Sequence, residues 1–436
     1  MVALATPTRP APVSRGVAIT HVRVIDVRAG AALPDRTVLV REGRIAAVGG
    51  PDLATAGARV VDGRGKFLIP GLWDMHVHLS WSKENALLAL LANGVTGVRD
   101  MGGDLPEIDN WRARITAGVL AGPRIFRVGP ILNGKKFNQY QMVTGNADET
   151  RGVVRALKQV GVDFIKTHRR TERDSYFAMI DEAKKQGLDV VGHIPVTVTP
   201  EEAIDSGQRT IEHTETLFEG TFSAGLKEGE FLAAIRKFRA GAADVLFARF
   251  VKNGTFFDPT LTAYRSGIES MDGSALRDPR RRYVAQSYRK AAEKDEKKVS
   301  AEELAGWKAT FAELIEVVRQ LHRAGVPLLT GTDLAATRVP GFTVHDELAL
   351  LVSAGLTPLE ALRASTLHPA EAMRKTDDLG AIEAGKAADL VLLDADPLAD
   401  IRNTERITAV IAAGKLFARA DLDRLLREAE ALASRN

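Results

Sequence analysis

Phe67-Leu-Ile-Pro-Gly-Leu-Trp-Asp-Met-His-Val-His78 is an apolar run that ends in two histidines spaced two apart. Side chains on a strand alternate between faces, so a strand here points His76 and His78 the same way. A His-x-His pair by itself is as readily chance as site, and the neighbouring sequence decides the matter. Further short apolar runs occur at 95–100, 124–129, 163–168, 189–194, 209–213, 255–259 and 327–333. Helical stretches such as 85–92, 149–160 and 174–186 lie between most of them. Strand candidates alternating with helices predict an α/β chain folded as a (β/α)8 TIM barrel, over residues 65–378. The gap from 262 to 325 is long enough for two or three extra helices.

Both ends of the chain read differently. Residues 17–27, 37–41, 44–48 and 58–62 form short β runs, and Arg41-Glu-Gly-Arg44 is placed to turn a hairpin. The texture returns at 389–394 and 407–414. We therefore expect a small discontinuous β-sandwich built from 17–64 and 379–420, with a C-terminal helix at 421–436. Residues 1–16, rich in Ala, Pro and Thr, read as a flexible leader. The apolar run at Val2–Ala5 is too short for a signal-peptide core, so the expected compartment is cytoplasmic, or periplasmic or secreted if a signal peptide was trimmed.

Composition narrows the chemistry. The 436 residues are 45% hydrophobic and 26% charged, the balance of a globular protein with a large core. A formal charge of +3 gives no case for nucleic acid, and no segment approaches the roughly 20 apolar residues of a membrane span. Cysteine is absent, which rules out disulfides and thiolate ligands and leaves His, Asp, Glu and Lys to hold a metal.

Those types recur at strand ends. Lys166 lies near the end of the run at 163–168 and His193 near that of 189–194, while His213 ends the run at 209–213 and Asp333 the run at 327–333. A strand-end Lys or Asp is ordinarily a solvated cap. Several falling in order at one mouth of one barrel, where such folds keep their active sites, point instead to a divalent-metal centre. Lysine is the odd member, because an ammonium repels cations; as a carbamate it becomes an anionic ligand. Tyr140, His168, Tyr264, Arg265 and His345 are candidates to face a substrate, each balanced by a bland reading as a loop or capping residue. Gly129-Pro-Ile-Leu-Asn-Gly-Lys-Lys136 lacks the Ser or Thr that a phosphate loop needs, which discounts an ATPase.

Taken together, the chain resembles the binuclear amidohydrolase superfamily, and within it the prolidase-like and imidazolonepropionase-related metal-dependent hydrolases. The motifs are 69–78, Gly94-Val-Thr-Gly-Val-Arg-Asp-Met-Gly102, Phe164-Ile-Lys166 and Gly192-His-Ile-Pro195, followed by Ile211-Glu-His213, Thr330-Gly-Thr-Asp333 and 379–390. The resemblance implies two divalent metal ions, zinc first among them, with manganese, cobalt or iron as alternatives. It implies that His76, His78 and Asp333 hold one ion, that His193 and His213 hold the other, and that Lys166, as N6-carboxylysine, bridges both. It further implies hydrolysis of an amide C–N bond by a metal-activated hydroxide with Asp333 as general acid/base, on a small peptide-like or N-acyl amino acid substrate, in a homo-oligomer. A mononuclear deaminase or cyclic-amide hydrolase, a lactonase or carbamate-ester hydrolase, and a catalytically silent scaffold are the alternatives. One departure stands out: relatives of the prolidase kind often carry a histidine after the third strand, and 131–142 has none.

Overall fold

The computed structural model describes residues 16–219, 228–294 and 299–436; most of the expected leader lies outside them. Eight strands from both ends of the chain pair into one mixed sheet. Lys415–Ala418, Ile407–Ala412 and Leu390–Leu393 run antiparallel and join Phe67–Pro70, which pairs in parallel with Val17–Asp26. Ala31–Arg41 and Arg44–Gly49 complete that order, and Arg59–Asp62 adds to Val17–Asp26. The hairpin turn at Glu42 and Gly43 takes φ of 50° and 77°, the paired positive angles of a tight two-residue connection.

This sheet rolls onto itself. Ile45 N–H donates to Lys386 O and Ala388 N–H to Gly43 O, both at 2.8–2.9 Å, so the edge strand Arg44–Gly49 meets the C-terminal segment. Val22, Val24, Val38, Ile45, Leu390 and Ile411 fill the enclosed core. The β unit expected from both termini thus takes the form of a single rolled sheet.

The chain leaves the sheet for the barrel at Gly71. A Cβ there would come within 2.0 Å of Thr96 Oγ1, so only glycine lets the two layers approach this closely. Leu72–Val77, Val95–Asp100 and Arg124–Arg127 run in parallel. The third strand breaks at Gly129-Pro130, as proline requires, and resumes at Ile131–Asn133. From there Phe164–Thr167, Asp189–Gly192, Thr210–Glu212 and Phe256–Asp258 continue the parallel order. The eighth strand is the least regular. It pairs through isolated bridges, Leu328 with Phe257 and Leu334 with Val77, because the chain turns into positive φ at Asp333. Both bridges are parallel and close the barrel.

The long gap after the seventh strand holds helices Leu261–Met271, Gln286–Lys294 and Ala301–Arg323. The C-terminal helix Arg419–Ala433 lies against Glu84–Ala92 and buries Leu422, Leu425, Ala429 and Ala433. It pins the end of the chain to the barrel wall. Leu422→Ala should therefore cost roughly 2–5 kcal/mol by leaving a cavity in that seam, seen as a lowered unfolding midpoint; an unchanged midpoint would contradict the docking.

Candidate metal centre

Six ligand-type side chains gather at the carboxyl-end mouth. His78, Lys166, His193, His213 and Asp333 line a cavity of about 530 Å³, and His76 lies fully buried at its floor. Regular strand geometry alone does not put them there. His213 and Asp333 both take left-handed φ, 69° and 50°, which rotates them off the strand alternation and into the mouth. Strain of this kind persists only where the surroundings over-determine it.

One subset is compact enough to hold an ion. Ligand atoms of His76, His78 and Asp333 lie within 4.8 Å of one another. Asp333 Oδ1 stands 3.5 Å from His76 Nε2 and 3.4 Å from His78 Nε2. Each imidazole is held through its other nitrogen, as metal-binding histidines usually are. His78 Nδ1 lies 3.0 Å from Gly102 O, and His76 Nδ1 lies 3.3 Å from Glu212 Oε2. The second subset stands beside it: ring centroids are 4.6 Å apart for His76 and His213 and 4.5 Å apart for His193 and His213. His213 Nδ1 meets Thr260 Oγ1 at 2.8 Å.

Two observations fit this donor set to cations. His193 Nδ1 is buried with no hydrogen-bond partner among the described residues, a costly state for an imidazole nitrogen unless it ligates. Lys166, 1% exposed, sets its Nζ 3.5 Å from His76 Nε2, a poor place for an ammonium. Burial lowers Lys166 to about 8, against the upward pull of Glu212 and Asp333. The neutral amine, the form that adds to carbon dioxide, is then accessible near ordinary pH.

His76, His193 and His213 are kept neutral, the state a ligand needs. Burial, then the Lys166 charge, holds His76 well below its usual range; burial and His213 do the same to His193. His213 falls to about 4, mainly through burial. Burial alone would raise Asp333, but Arg338 and the neighbouring histidines hold its carboxyl well below the usual range.

The expected substrate-facing residues separate. His168 and Tyr264 line the cavity. Tyr140 packs its ring on Trp81, 4.6 Å between centroids, and supports that cavity-lining indole from behind. Arg265 turns to an adjacent cavity and pairs with Glu269 and Asp346. His345 is saturated away from the mouth, between Thr404 Oγ1 at 2.9 Å and Asn93 O at 3.1 Å. Glu347 accepts from Leu261 and Thr262 N–H, capping the helix that follows the seventh strand.

Other residues come from outside that set. Asp74 accepts from Thr332 N–H at 3.0 Å and Thr332 Oγ1 at 2.6 Å, tying the first strand to the eighth beneath the histidines. Burial lifts Asp74 to about 7. Asp100 accepts from Leu79 and Gly102 N–H and fixes the chain as it leaves His78. Arg338 stands 3.3 Å from Asp333 Oδ2, on the side away from the histidines. Asp74 and Asp100 sit inside the motif runs and were within reach of sequence reading. Arg338 carries no local signal.

Known proteins share this fold. The sequence pattern of the amidohydrolase family matches residues 67–417. An imidazolonepropionase from Ralstonia nicotianae is 26% identical over 416 residues, 88% of this chain and 93% of its own length. Another, from Shouchella clausii, is 37% identical over 106 residues, which span only 23% of that protein. Among solved structures, bottromycin amidohydrolase superposes with a TM-score of 0.81 at 26% identity, covering 96% of this chain and 91% of its own. A prolidase candidate from Bifidobacterium longum gives 0.70 at 28% identity, with 96% and 100% covered. With the match running from the last strand of the rolled sheet through the barrel and back into that sheet, the chain belongs to the amidohydrolase family.

Proposed function

We propose that this chain is a binuclear metal-dependent amidohydrolase that cleaves an amide C–N bond in a peptide-like or N-acyl amino acid substrate. The observation that carries the reading is the set of four histidines, Asp333 and a buried Lys166 around one cavity floor. His76, His78 and Asp333 would hold one ion and His193 and His213 the other, and a carboxylated Lys166 would add an anionic ligand between the two groups. Zinc is the ion that suits imidazole and carboxylate donors best here. When bound, the ions lower the pKa of water toward neutrality and polarise a carbonyl.

The chain's own groups do the rest. Asp333 presents Oδ1 to the histidine side and Oδ2 to Arg338, so its carboxylate is fixed in plane and ionised. In that state it accepts the proton of the attacking water and returns it to the departing nitrogen. Trp81, Ile131, Ile268, Met271 and Trp307 give the cavity an apolar wall, while Asn138, Gln141 and Arg338 add polar groups. About 530 Å³ suits a dipeptide-sized ligand. Asn138 and Gln141 occupy the segment after the third strand in which relatives often place a histidine.

Similarity to imidazolonepropionases supports a second reading, a mononuclear deaminase or cyclic-amide hydrolase in which Lys166 stays unmodified. Two experiments separate the readings. On a panel of dipeptides and N-acyl amino acids, Asp333→Asn should lower turnover by about 10²–10⁴-fold with the fold retained; full activity would remove Asp333 from its role, and no turnover by the wild type would contradict the substrate class. Stripping metal with a chelator should abolish turnover, and zinc with bicarbonate should restore it better than zinc in carbon dioxide-free buffer. Equal recovery in both would favour the mononuclear reading.

A further inference from the structure

Below the cavity floor lies a charged cluster that the proposed chemistry does not use. Arg99, on the second strand, is 1% exposed and among the largest fully buried side chains. Its Nε donates to Met75 O at 2.7 Å and its Nη1 to Thr210 Oγ1 at 2.9 Å. Its Nη2 donates to both oxygens of Glu212, at 2.8 and 2.9 Å. Thr210 Oγ1 also donates to Glu212. Asp258, fully buried, stands 3.8 Å from Arg99 Nη2, and its oxygens have no hydrogen-bond partner among the described residues. Burial, then the neighbouring Glu212 carboxylate, pushes the Asp258 carboxyl well above its usual range, so Glu212 is the anion that the guanidinium holds.

Glu212 has one further neighbour, His76 Nδ1 at 3.3 Å. The other nitrogen of that ring faces Asp333 and Lys166, each at 3.5 Å. Adjacent residues on a regular strand cannot both point inward. Glu212 does so as the strand residue, and His213 follows it only because its φ of 69° reverses the alternation. The carboxylate is thereby delivered under His76 while the next residue reaches the mouth. His76, Glu212 and Asp258 also have atoms close enough to hold a cation. The Arg99 guanidinium already holds both oxygens of Glu212, so the charge on that side is compensated.

We propose that Glu212, clamped by Arg99, is the positioning residue for His76. It accepts the Nδ1 proton, fixes the tautomer that leaves Nε2 bare toward the cavity, and makes that nitrogen a stronger donor to a metal ion. The inference rests on the metal-binding reading of the mouth. It explains why a guanidinium and two carboxylates are buried in the barrel floor, where an ion pair by itself brings little stability.

The test measures zinc affinity of the full chain, stripped of metal, by competition with a chromogenic chelator. Glu212→Gln should weaken the tighter site by about 10–100-fold. His345→Gln, a comparably buried and doubly hydrogen-bonded histidine away from the mouth, controls for general damage and should lower the melting midpoint with zinc affinity unchanged. If Glu212→Gln alone does not fold, pairing it with Arg99→Gln removes the stranded charge, and the same loss of affinity is expected. Wild-type affinity in the folded Glu212 variant, or an equal loss in His345→Gln, would overturn the proposal. A wild-type chain that binds no zinc would instead overturn the metal reading on which it rests.

Discussion

Asp74 hydrogen-bonds Thr332 through both of its carboxylate oxygens, and on that clasp hangs the relation between the first and eighth strands. The eighth strand has no ladder of its own to hold it. Met75 N–H to Thr330 O and His78 N–H to Leu334 O, at 2.9 and 2.8 Å, are the adjoining backbone links. The same segment carries His76 and His78 on one side and Asp333 on the other. Registering these two strands closes the barrel and sets the His–His–Asp geometry in one act. Two hydrogen bonds from Thr332 to one buried carboxyl have the directionality for this, and the isolated bridges of the eighth strand alone do not.

The electrostatics of the mouth depend on the same crowding. Imidazole rings with centroids 4.5–5.3 Å apart beside a buried lysine leave no room for more than one positive charge. Burial therefore drives His76 and His193 neutral and Lys166 down to about 8. An assembly that repels protons in this way, with carboxylates at its edge, is prepared for cations. Beneath it the Arg99–Glu212 pair supplies fixed charge without opening the floor to water.

Much of this was legible in the sequence. The period of two in His76-Val77-His78 and the positions of Lys166, His193, His213 and Asp333 at or near strand ends are local patterns that place them at one mouth, though His213 and Asp333 also need a left-handed φ to turn inward. The two-ended β unit was legible as well, because short apolar runs with turn residues recur at both termini. What escaped depends on partners far along the chain. His345 looks like a cavity residue by its place after the eighth strand, yet Thr404 and Asn93 claim both its nitrogens. Arg265 and Arg338 both belong to the rim, and only the packed structure sends the first to Asp346 and the second to Asp333. Glu212 was in plain sight beside His213, but its inward turn relies on a backbone angle that no residue type there announces. The chain switch at Gly71, which puts Phe67–Pro70 in the sheet rather than the barrel ladder, is likewise a matter of close approach.

The central claim is that two ions share a carboxylated Lys166. Elemental analysis of purified protein, beside the Lys166→Ala variant, tests it most directly. The account predicts two divalent ions per chain in the wild type, falling to one or none in the variant with the fold intact. One ion per chain in both would contradict it and take Lys166 out of the metal site.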